Sequence, residues 1–103
     1  YAVDGTNNLI RIDFTDFLTN MTWTRLAVLD AAAKPIRVKA NPYNDLIYIP
    51  GWSNDKVQIY SPGSASIVST QTGFSDPIDI VFTPTKSFAV QNGAVALREI
   101  SAP

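Results

Sequence analysis

The sequence has no cysteine and no histidine among its 103 residues. Without cysteine there are no disulfides, thiolate metal sites or cysteine nucleophiles. Without histidine the commonest general base and the commonest neutral metal ligand are missing. Charge is sparse as well: 17 % of residues are charged, the net charge is −1, and Glu99 is the single glutamate. No basic excess exists to neutralise phosphates, which argues against nucleic acid as a main partner. No apolar run approaches the roughly 18 residues of a membrane span, so membrane insertion is not expected. The chain begins at Tyr1 without methionine, as a processed product or a piece of a longer chain would, so missing targeting signals carry little weight.

A hydrophobic fraction of 46 % is that of a globular protein, and it is distributed in short alternating runs. Leu9 to Phe14 (LIRIDF) and Lys56 to Tyr60 (KVQIY) alternate with the period of half-buried strands. Tyr1 to Val3, Trp23 to Leu29, Ile36 to Ala40, Leu46 to Ile49, Ala65 to Thr70, Ile78 to Phe82, Ser87 to Val90 and Ala94 to Ile100 read as further strands. Leu46 to Ile49 is apolar on consecutive residues and should be covered on both faces. Asp4 to Asn8, Asn41 to Asp45, Pro50 to Asp55, Ser61 to Ser64 and Gln91 to Gly93 are clusters of turn formers. Thr15 to Thr22 reads as a loop, because Asp, Thr and Asn are weak helix formers. Asp30 to Lys34 is too short before Pro35 to hold a helix. Ten short strands with turns every 8–12 residues define an all-β chain, sandwich or propeller.

An internal repeat favours the propeller. Pro35 and Pro77 are 42 residues apart, as are Pro42 and Pro84, and Gly51 and Gly93. On that step PIRVKANPYNDLIYIPG lies over PIDIVFTPTKSFAVQNG without a gap. The start of the chain repeats the same unit with a few extra residues, best placed in Thr15 to Thr22. About 40 residues holding four strands is the size of a propeller blade.

The run Ile47-Tyr48-Ile49, Trp52-Ser53-Asn54-Asp55, Val57-Gln58-Ile59-Tyr60, Ile67-Val68, Gly73 to Pro77, Ile78 to Phe82 and Pro84 resembles the YVTN propeller repeats, and more loosely the NHL repeats. The Tyr-Val-Thr-Asn tetrapeptide itself is absent, with Ile49-Pro50-Gly51 at its end. The resemblance implies four-stranded antiparallel blades: a partial blade in 1–34, a full blade in 35–76 and a partial blade in 77–103. The strand entered at Pro35 or Pro77 would be innermost and Ala65 to Thr70 outermost. A propeller needs about four to eight blades, so this one would be completed by further chain or by oligomerisation.

In such a ring the loops after each second strand meet near the channel. They carry Asp4, Asn7 and Asn8, then Trp52, Asn54 and Asp55, then Asn92. Asp30 and Asp76 lie on the loops that enter the inner strands. These are the candidate binding residues, although Asn, Asp and Gly are also what any turn needs. Propellers that are hydrolases or lactonases hold a divalent ion with Asp, Glu and Asn oxygens near the channel, and if the resemblance to propeller repeats extends that far, Asp4, Asn54, Asp55 and Asp76 could supply some of them; no catalytic residue, metal site or cofactor is assigned. Trp52 is either a sugar or protein contact or packing between blades. Arg37 and Asp79 occupy equivalent inner-strand positions and pair across blades, line the channel, or are solvated or structurally paired charges. Tyr60 and Phe14 are expected in the core. Asn20-Met21-Thr22 fits the N-glycosylation acceptor pattern.

These features favour a non-catalytic scaffold or protein-interaction segment of a larger exported or surface-displayed assembly. Its partners would be further blades or other protein chains, with glycan as a further candidate. Two alternatives stay open: a piece of a propeller enzyme with its active site mostly elsewhere, and a lectin-like module using Trp52 and the loop amides.

Overall fold

The computed structural model describes residues 1–15, 20–30, 33–93 and 95–103, with the side chains of Phe14, Thr15 and Asn20 outside that description. The described residues hold ten strands and no helix. They are β1 (Ala2–Val3), β2 (Asn8–Thr15), β3 (Asn20–Val28), β4 (Lys39–Ala40), β5 (Ile47–Gly51), β6 (Lys56–Ser61), β7 (Ser66–Gln71), β8 (Pro77–Phe82), β9 (Ser87–Gln91) and β10 (Leu97–Ile100). Each strand pairs antiparallel with its neighbour in sequence. The result is three small sheets: β1-β2-β3, β4-β5-β6-β7 and β8-β9-β10.

Two apolar layers hold the sheets together, one on each side of the second. Ile47, Ile49 and Tyr60 of the second sheet pack with Leu9 and Leu29. Tyr48, Val57 and Ile59 point the other way, to Ile80, Ala89 and Ile100 of the third. Alternation along β5 therefore feeds both layers, and every residue from Ile47 to Gly51 is buried. Tyr48 meets Phe82 edge-on at 5.0 Å between ring centroids, a favoured aromatic geometry. β7 ends the second sheet with alternate residues exposed, as suits a sheet edge.

Each sheet thus has a front, facing the next, and a back, facing the previous one. Leu9 is on the front of the first sheet and Val57 on the front of the second; each is the second residue of its strand.

Several expectations change. The strand over Ile36 to Ala40 shrinks to Lys39–Ala40, with an isolated bridge between Pro35 and Gly51. Continuing the Lys39–Tyr48 register puts Pro50 opposite Arg37, and Pro50 has no amide to donate there. Of the strand expected over Ala94 to Ile100, Ala94 lies outside the described residues and β10 begins at Leu97: the Gln91 amide donates to the Ala96 carbonyl at 2.8 Å and its Nε2 to the Val95 carbonyl at 2.7 Å, holding a turn.

The loop reading of Thr15 to Thr22 fails at Asn20, Met21 and Thr22, which pair with Thr15, Phe14 and Asp13. Residues 16–19 of that reading, and 31–32 of the segment before Pro35, lie outside the described residues. The gapless step of 42 also slips. Ile47 pairs with Tyr60 and Ser87 with Ile100, so these hairpins superpose on a step of 40. The β4–β5 connection spans 41–46 and the β8–β9 connection only 83–86.

Candidate functional site: a row of linked loops

The β1–β2 turn is self-contained. Asp4 Oδ1 accepts from the Thr6 amide at 2.9 Å, the Thr6 hydroxyl at 3.0 Å and the Asn8 amide at 3.0 Å. Asn8 Nδ2 donates to Asp4 Oδ2 at 3.1 Å and to Thr6 Oγ1 at 2.9 Å. Such bonds favour the ionised carboxylate. The Asn8 side chain, ahead of a partial opposing desolvation and the backbone amides, holds the Asp4 pKa below its ordinary value. Asp4 and Asn8 therefore close their own turn.

Asn7 and Asp55 do something different and do it twice. Both sit one residue before the strand that leaves the loop, and both have left-handed backbone, φ 62° and 56°. The Asn7 carbonyl accepts from the Leu29 amide at 2.7 Å, and its Oδ1 accepts from the Lys34 amide at 3.2 Å. The Asp55 carbonyl accepts from the Phe74 amide at 3.2 Å, and its Oδ1 accepts from the Asp76 amide at 2.9 Å. The donors Lys34 and Asp76 are themselves left-handed, φ 45° and 49°. Asn and Asp tolerate that conformation better than other residues with side chains. One Asx side chain thus ties each loop to the segment that enters the next sheet, and we call it a latch.

The row continues sideways. Ser53 donates its amide to the Ala33 carbonyl at 3.1 Å, and Gly93 to the Ser75 carbonyl at 3.1 Å. Asn92 donates its amide to the Asp76 carbonyl at 3.0 Å. Asp55, Asp76 and Asn92 are therefore brought together, while Asp4 and Asn8 stand apart in their own turn. Trp52 is 40 % exposed, with Lys34 Nζ 6.0 Å from its ring centre, a cation–π contact. Both polar atoms of the Asn54 side chain are buried without a hydrogen-bond partner among the described residues. The Asn20 side chain, and with it the glycosylation acceptor reading, lies outside the described residues; so does the Phe14 side chain. Tyr60 is buried as expected.

Among the described residues, no three acidic side chains converge to hold a metal ion. Asp30 binds Lys56 at 2.8 Å through Oδ2. Asp79 pairs not with Arg37 but with Lys39, at 3.5 Å, while Arg37 is exposed. Glu99 meets Lys86 at 3.4 Å.

Two residues of this region escaped the sequence reading. Gln58 is 5 % exposed on a strand whose pattern puts it outward. Its Oε1 accepts from the Asp30 amide at 3.0 Å, carrying the link between first and second sheets. Gln91, read as a turn residue, is buried at the end of β9, and its Oε1 accepts from the Ser75 amide at 2.8 Å. The only signal was a long amide side chain within or at the end of a strand, too common to be read.

Fold and loops together define an all-β protein of three antiparallel sheets joined by repeated Asx links. Comparison of the chain with family models, curated proteins and solved structures gives no match.

Proposed function

We propose that the chain is a segment of a β-propeller of the YVTN/NHL type its repeats resemble, and that it serves as a non-catalytic scaffold or protein-interaction segment in a larger, exported or surface-displayed assembly. One observation carries this reading: the latch recurs at equivalent positions of both sheet junctions, with the same front-to-back order of sheets. A sandwich closes on itself with two sheets and has no use for a repeated junction of one direction. A radial array needs one such junction per blade. The strand counts of the three sheets, three, four and three, suit a full blade flanked by two partial ones.

The chemistry of the loops supports a structural role. The Asp4 and Asp55 oxygens accept from amides of the chain's own backbone, and Lys34 stands over Trp52. Electron microscopy of the intact native particle tests the reading. The expected image is a closed ring of radial sheets around a central channel; an open, unclosed stack would overturn it. Metal analysis tests the non-catalytic part, and a stoichiometric divalent ion would sink it.

A further inference from the structure

The second sheet is covered on both faces, whereas each outer sheet has one face that no other sheet covers among the described residues. On the back of the first sheet, the cross-strand pairs Ile10–Arg25 and Ile12–Trp23 share a face with Met21. Trp23 is 67 % exposed there, and Met21 is exposed too. On the front of the third sheet, the pairs Val81–Phe88, Phe88–Glu99 and Val90–Leu97 share a face, with Leu97 51 % exposed. Contiguous apolar area of this kind marks an interaction site.

The two open faces are the two halves of a junction the chain already makes twice. On the step of 40, Phe88 and Leu97 stand where the second sheet has Tyr48 and Val57, the residues with which it covers the third. The front of the third sheet is therefore built to receive a back, and the back left without a front is that of the first sheet.

The chemistry of this outer junction differs in one respect. The position that carries Asn7 and Asp55 carries Val95 in the third sheet, immediately before Ala96, whose carbonyl closes the β9–β10 turn. Val95 cannot accept an amide through its side chain, so a contact here is made by apolar surface without the latch. Both latched junctions lie within the chain; the unlatched one suits a contact between chains.

We infer that a second copy of this chain docks head to tail, the back of its first sheet against the front of the third. The inference rests on the propeller-segment reading and names what covers its open faces. A contact of two different patches is heterologous, so it closes a ring or grows into a filament.

Analytical ultracentrifugation of the 103-residue chain tests it with Trp23→Glu and Leu97→Glu. Both side chains are exposed, and thermal melts of the two variants should match that of the parent. The parent chain is expected to self-associate, and each variant alone to sediment as a monomer. An equimolar mixture of the two should form a one-to-one complex, because each variant keeps the face the other has lost. Monomeric parent chain at about 100 µM, where even a contact with a Kd of that order would be half formed, overturns the inference. So does an assembly that survives either substitution, or a mixture that stays monomeric. A ring built from one longer polypeptide would leave the propeller reading intact while this inference fails; an open filament of copies would do the reverse.

Discussion

Asp55 Oδ1 accepts the backbone amide of Asp76 at 2.9 Å, across 21 residues, with both residues in left-handed conformation. The bond resembles a helix N-cap in chemistry: a short carboxylate satisfies an amide that no ladder reaches. Replacing Asp55 by Ala removes the acceptor and leaves a Cβ in a conformation that disfavours it. A loss of about 1–2 kcal/mol is expected in urea denaturation. Asn should retain most of the stability, and Gly should fall between, since it loses the bond but fits the backbone. Equal losses for Asn and Ala would show that the side chain is not a latch.

Gly51 ends β5 and Gly93 lies in the β9–β10 turn, and they should respond differently to Ala. A Cβ on Gly51 would meet the end of the Asn54 side chain, which can move. A Cβ on Gly93 would lie 2.9 Å from the Ser75 carbonyl oxygen and 2.5 Å from Ser75 Cβ. Overpacking of that kind costs roughly 1–3 kcal/mol, so Gly93→Ala should be the more destabilising of the two. Asn54→Ala should relieve Gly51→Ala in a double-mutant cycle and leave Gly93→Ala unaffected.

Gln91 uses both ends of its side chain, on the Ser75 amide and the Val95 carbonyl. Gln91→Ala strands two polar groups and opens the β9–β10 turn. The expected cost is about 1–3 kcal/mol, and amide exchange of Ser75 and of residue 91 should accelerate more than that of β5. Uniform acceleration across the chain would place Gln91 in the general core instead.

Asp4 gives the stability a dependence on acid. Its folded pKa is lowered, chiefly by the Asn8 side chain. The contribution is therefore fully present above the ordinary value of 3.8 and is lost as pH falls through the lowered folded value. Asp4→Asn should be less stable than the parent at neutral pH, and the gap in Tm should close on acidification. A gap that stays constant down to about pH 2 would remove the carboxylate from the account.

Much of the strand pattern was legible because alternation and turn residues are local signals. KVQIY and LIRIDF announce β6 and β2, and the consecutive apolar run at Ile47 announces a strand covered twice. What escaped was fixed by pairing. The repeat step of 42 holds for Pro35 and Pro77 but not for the β5–β6 and β9–β10 hairpins, because the β8–β9 turn closes two residues earlier. Nothing in the sequence of Pro50 alone says that it stands opposite Arg37. The site was legible by residue type only. Asn7, Asp55 and Asp76 are turn formers as read, but the bonds that give them their role span 27 and 21 residues. Lys34, a residue with no turn signature, provides half of the first latch.

The two apolar layers differ in one more way. Where the back of the second sheet has Ile47 and Ile49, the back of the third has Ser87 and Ala89, leaving room for Tyr48 and Phe82. During folding, neighbouring repeats of similar sequence risk trading places. Here β5 in the position of β9 would force two isoleucines into space left for a serine and an alanine, and β9 in the position of β5 would leave a void beside Leu9. The second and third sheets thus each carry an address, so that their order of assembly is written in side-chain volume as well as in chain connectivity.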